Sequence, residues 1–179
     1  MSEINESLMH EFGHACIGVI KKVPVIEISC DPSDEQFLTY YGYPERKTHK
    51  EHEHILLATL YIAGPATDTL MFGGYDIWRC RVDGERSYKH LYKAGVPNPE
   101  YKWNEIFDYC FRQISPFYAD IIQLEQMFRF HKKIKGADID LVTLIFENRL
   151  HGISQTNGSE DKKLNHCIIP SICKKEAGA

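Results

Sequence analysis

No two cysteines in this chain stand as C-x-x-C, the chain carries no basic surplus, and no apolar run is long. Each absence removes a class of function. The six cysteines (Cys16, Cys30, Cys80, Cys110, Cys167 and Cys173) are scattered, which argues against a structural zinc ribbon and a dense secreted disulfide framework. Free thiols in a reducing compartment are expected; Cys167 and Cys173 are near enough in sequence to pair, but nothing requires it. A net charge of −4 gives no electrostatic reason to expect nucleic acid, whose readers present a strongly basic face. The longest apolar run, Ile55 to Gly64, falls short of the ~18 residues a bilayer span takes. The N-terminus also lacks the charged-then-apolar layout of a secretory signal. The expectation is therefore a soluble, cytoplasmic protein with no membrane segment.

What is present is periodic. The 179 residues suit one domain of residues 1–150 and a polar tail of residues 151–179, rich in Gly, Ser and Asn. Ile4, Leu8, Phe12, Cys16 and Ile20 recur every four positions, the apolar face of an amphipathic helix that should end at Lys21-Lys22 before Pro24. Two β-prone runs follow, PVIEISC and FLTYYGY, around the turn Asp31-Pro32-Ser33-Asp34. In the first, Ile26, Ile28 and Cys30 should share one face. Thr48 and Glu51 form a capping box for a second helix, which Gly64-Pro65 should kink or restart and Gly73-Gly74 should stop. Further helices are expected from Asp83 to Lys93, around Trp103 to Ile114, after a Ser115 cap with Phe117, Ile121, Leu124 and Phe128 inward, and from an Asp138 cap to about Leu150. The sum is an α+β fold, mostly α, with one small sheet near the N-terminal third.

The first helix carries the chemistry. In L-M-H-E-F-G-H-A, His10 and His14 lie one turn apart on the same face and can offer one imidazole nitrogen each to a single ion. Glu11 is offset by one position, too far round for an easy third ligand but well placed to contact a water on that ion. This is the H-E-x-x-H division of labour: two ligands, and a base one hydrogen bond away. Gly13 between them permits close packing. The plainer alternative is two satisfied helix histidines.

A catalytic zinc needs a third protein ligand and an open position. The metzincin pattern asks for Gly and His where this chain has Ile17 and Ile20. Glu51 and Glu53 are candidates by type but fall in an exposed, charged first turn. The run T-H-K-E-H-E-H, with His49, His52 and His54, is tempting as a metal cluster and is expected to be a solvated helix start. Asp83 and Glu85, after a long loop, remain.

A resemblance separates these two. The order H-E-F-G-H-A, two strands, L-Y-I-A-G-P-A-T-D-T-L-M-F-G-G and V-D-G-E-R-S-Y-K-H-L-Y-K resembles the peptidase domain of the FtsH family of zinc proteases, over about residues 4–150. The family's third zinc ligand is the aspartate that this alignment sets on Asp83. The segment K-I-K-G-A-D-I-D-L-V-T-L-I-F is similar to the linker and last helix of the family's C-terminal helical bundle. Departures are Pro65 for an arginine, Gly84 for an apolar residue, and Trp78, Arg79 and Cys80 in the loop from Gly73 to Val82.

The resemblance implies a zinc-dependent metalloendopeptidase, with Zn2+ on His10, His14 and Asp83 and Glu11 as general base. Its substrate would be an unfolded or short polypeptide, since the chain has no G-x-x-x-x-G-K-[ST] loop; an ATPase or unfoldase would act in trans. Family members form hexameric rings through modules not found here, so a homo-oligomer is an open option. An extended substrate could add along the edge of FLTYYGY. Asp68 is expected as a surface carboxylate, the alternative being a hydrogen bond to a ligand histidine. Three other readings stay open: a catalytically silent zinc module that partners an ATPase or regulator, a small regulator-cleaving zinc peptidase with a glutamate third ligand, and a metal-free helical interaction domain.

Overall fold

A computed structural model describes residues 5–29, 38–42, 49–78 and 80–157. The turn at Asp31 to Asp34, Thr48, Cys30, Cys167, Cys173 and most of the polar tail lie outside the described residues. The architecture is α+β dominated by α. Among the described residues, six α-helices, a 3-10 turn and three short strands follow the order α1 (Glu6–Ile20), β1 (Val25–Ser29), β2 (Leu38–Tyr41), α2 (Glu51–Phe72), α3 (Arg81–Lys93), α4 (Pro99–Ile114), the turn Ser115–Phe117, α5 (Tyr118–Phe128), β3 (Lys133–Lys135) and α6 (Ala137–Asn157).

Helix α1 is the axis of the fold. Asn5 caps it by accepting from the Leu8 N–H at 3.0 Å, and the helix ends at Lys21, as its charge pattern predicts. The sequence suggests one apolar face, yet every residue from Leu8 to Gly18 is buried. The reason is that α2, α4, α5, α6 and the sheet pack around it, so its polar side is enclosed too. Leu8, Phe12 and Ile17 are wholly buried, with Ile121 and Leu124 of α5 and Phe146 of α6 in the same core. Burying such side chains contributes about 1.5–3 kcal/mol each.

Helix α2 runs without interruption from Glu51 to Phe72 with Pro65 inside it, so the chain does not restart the helix there. Gly73 ends it in the left-handed conformation, φ 77°. The helix is long and apolar enough to cross a membrane, but about half of that stretch is buried in the protein. It packs against α1, α3 and α4 as a core helix. Its N-cap is Lys50, and the Lys50 N–H donates to Glu53 Oε2 at 2.7 Å. The residue that reaches back is therefore Glu53 rather than Glu51.

The sheet has the order β2-β1-β3, all antiparallel, with Ile28 opposite both Thr39 and Ile134. Strand β3 is three residues long, too short to show an alternation in sequence. A register shift between Val25 and Glu27 displaces Ile26, which is 54% exposed instead of sharing the inner face with Ile28. Ser115 does not cap α5; its hydroxyl donates back to the Phe111 carbonyl at 2.7 Å. Asp138 falls inside the first turn of α6 rather than ahead of it, and that helix continues past Leu150 to Asn157.

Candidate metal centre

Three elements converge beside the middle of α1. Gly13 lets α2 approach: a β-carbon there would collide with the Thr67 hydroxyl. Gly64 faces the two histidines, and a β-carbon at 64 would collide with His10 Nε2 and lie 2.5 Å from His14 Nε2. Helix α3 then delivers Asp83 from its first turn, the helix starting at Arg81, two residues earlier than the sequence suggests.

His10 and His14 turn their Nε2 atoms toward each other, 3.1 Å apart. Asp83 Oδ2 lies 2.8 Å from His10 Nε2 and 3.3 Å from His14 Nε2. The Nδ1 atoms point away to fixed partners. His14 Nδ1 donates to the Leu60 carbonyl at 2.6 Å, and His10 Nδ1 meets Asp68 Oδ2 at 3.1 Å. Both rings therefore present Nε2 to the same point, the arrangement in which an outer partner sets tautomer and ring orientation. Asp68 is fully buried, which corrects its expected surface position; the Cys80 thiol also donates to its Oδ2 at 3.3 Å.

Glu11 is enclosed next to this group, and its Oε2 accepts from the Thr39 hydroxyl of β2 at 2.7 Å. The Tyr41 hydroxyl of the same strand donates to the His14 carbonyl at 2.9 Å. The small sheet thus fixes α1 at both ends of the H-E-x-x-H segment. Among the described residues, β2 forms one edge of the sheet.

The charges are strongly coupled. Burial pushes the Glu11 carboxyl upward, against the pull of His14 and His10. Burial works against protonating His10, but hydrogen bonds to Asp68 and Asp83 outweigh it and hold its pKa well above the usual imidazole range. Burial likewise opposes ionising Asp83, yet the His14 charge and hydrogen bonds from both rings hold its carboxyl far below the usual carboxylate range. Asp83 is thus a carboxylate under all ordinary conditions, as a ligand must be.

His10, His14 and Asp83 bring one ligand atom each within 4.8 Å of the others. Two imidazole nitrogens and one carboxylate, beside a space that Gly64 leaves open, fit a borderline divalent ion such as zinc. His10, Asp68 and Cys80 form an overlapping group at the other edge of the His10 ring. The chain matches no family model and no curated protein.

The remaining candidates lie elsewhere. Glu85 is exposed on α3, with Arg81 Nε 3.9 Å away. Glu51 and His52 are exposed, while Glu53 and His54 are buried against Lys50 and His90. Sequence reasoning missed Thr39, Cys80, the Leu60 carbonyl and the role of Gly64. Of these only Gly64 left a signal: it stands four residues before Asp68, so the two share the helix face that meets α1.

Proposed function

We propose that this protein is a zinc metallopeptidase of the FtsH type, hydrolysing peptide bonds in unfolded or short polypeptides. The observation that carries the reading is the convergence of Asp83 on both Nε2 atoms with Glu11 enclosed beside them. His10, His14 and Asp83 would hold a zinc ion, which would supply Lewis-acid polarisation and lower the pKa of bound water.

Glu11 is the general base. Burial raises its pKa, which strengthens it as a proton acceptor. As water oxygen bonds to the scissile carbonyl carbon, Glu11 accepts the proton; as the carbon–nitrogen bond breaks, it returns that proton to the leaving amine. Thr39 holds one carboxylate oxygen in place for both transfers. Because Thr39 belongs to the edge strand β2, a substrate that adds to that edge in extended form would run past Glu11, with main-chain hydrogen bonds giving affinity without sequence demands. Such a site takes only chain that is already extended, which fits a partner ATPase or unfoldase acting in trans and a cytoplasmic setting. Free, buried Cys16, Cys80 and Cys110 suit the same reducing compartment.

The test is digestion of unfolded casein and of short peptides by the purified chain. Cleavage should stop with a chelator, return with zinc, and be absent in Glu11→Gln that still holds metal. Cleavage by Glu11→Gln at the wild-type rate would overturn the general-base role. Metal retention without any cleavage would instead favour the silent zinc module.

A further inference from the structure

The segment T-H-K-E-H-E-H reads from sequence as a solvated helix start, and the fold changes half of that. Glu51 and His52 face solvent, but Glu53 and His54 are each only 7% exposed. Glu53 turns back onto the Lys50 N–H. His54 turns across to α3, where its Nδ1 meets Nδ1 of His90 at 2.9 Å. The His49 ring stands 5.4 Å from that of His54, and Tyr61 stacks on His90 at 5.8 Å.

Two imidazole nitrogens that face each other can share one proton at most. Facing each other across 2.9 Å, the two nitrogens are placed for a single ion to take the position of that shared proton. The geometry repeats that of the candidate metal centre, where the two histidine nitrogens are 3.1 Å apart. A tetrahedral ion with bonds of about 2.0–2.1 Å sets two ligand nitrogens roughly 3.3 Å apart, within a small ring rotation of either pair.

We propose that His54 and His90, with His49 at the rim, form a second site for a borderline divalent transition metal, zinc foremost, that clasps α2 to α3. Its consequence lies in α3. That helix packs on α2 and α4, and it carries Asp83 two turns before His90. An ion on His90 pins the far end of the helix whose first turn supplies Asp83. The proposal stands on its own residues and does not require the hydrolytic reading.

The test strips the protein with chelator, then titrates it with zinc against a chromophoric indicator, checking folding by circular dichroism. Wild type should take two ions; His90→Gln, His54→Gln and His14→Gln should each take one, and the His14→Gln/His90→Gln double variant none. His49→Gln should keep both sites, with the second weakened about tenfold. Equal stoichiometry in wild type, His90→Gln and His54→Gln would overturn the second site. If wild type takes one ion that His14→Gln loses, the second site fails and the first stands. If His90→Gln loses that ion and His14→Gln keeps it, the second site stands and the hydrolytic centre fails. Should His90→Gln not fold, the His54→Gln stoichiometry decides in its place.

Discussion

Asp68 Oδ2 lies 3.1 Å from His10 Nδ1, the ring nitrogen that Asp83 does not meet. The imidazole of His10 is therefore gripped from both sides by buried or half-buried carboxylates, one to hold the ring and one to share its ligand point. Removing the outer charge while keeping its shape isolates the first of these roles. Asp68→Asn should weaken zinc binding about 10–100-fold with little change in fold, measured by competition with a chromophoric chelator. Unchanged affinity would leave Asp68 as a packing residue.

The inner carboxylate admits a paired comparison. Asp83→Asn should lose zinc from the first site on dialysis, because the amide replaces a charged ligand with a neutral one. Glu85→Gln, exposed on the same helix, should behave as wild type. Zinc loss in the second variant and not the first would reverse the assignment.

Gly64 offers a steric test without any change of charge. A methyl group there would occupy the point that the two Nε2 atoms face. Gly64→Ala should abolish zinc retention at the first site and lower Tm, since neither ring can retreat without breaking its bond to Asp68 or the Leu60 carbonyl. A stable Gly64→Ala protein with full zinc affinity would mean that the ligand point lies elsewhere.

The core makes a prediction about alkaline pH. Burial pushes the Cys110 thiol up to about 12 from an ordinary 9.0, and its Sγ donates to the Thr59 carbonyl at 3.6 Å. A raised acid favours its protonated form in the fold. Its contribution is complete below about pH 9 and is lost as pH rises toward about 12. Tm should therefore fall over that range, and Cys110→Ala should make the fall shallower. An identical slope in both proteins would show that this thiol does not report the fold's alkaline limit.

How much of this was readable beforehand depends on distance along the chain. His10, Glu11 and His14 stand within one helical turn or so, and spacing alone put the histidines on one face. The inward stripe of Phe117, Ile121, Leu124 and Phe128 was legible for the same reason. Asp83 is 69 residues from His14, and no periodicity links them; only the likeness of D-G-E-R-S to a known pattern singled it out. Asp68 was misjudged because a carboxylate in a helix is usually solvated, and its burial depends on Gly64 admitting α1. His54 and His90, 36 positions apart, carry no mutual signal, and the displacement of Ile26 follows from pairing with β2, which sequence alternation cannot reveal.

The most direct measurement is an anomalous difference map at the zinc absorption edge from crystals of the zinc-loaded protein. The account predicts a peak about 2.0–2.2 Å from His10 Nε2, His14 Nε2 and an oxygen of Asp83, with Glu11 beside it and outside bonding distance. No peak between those three side chains, in crystals whose zinc content is established, would contradict it.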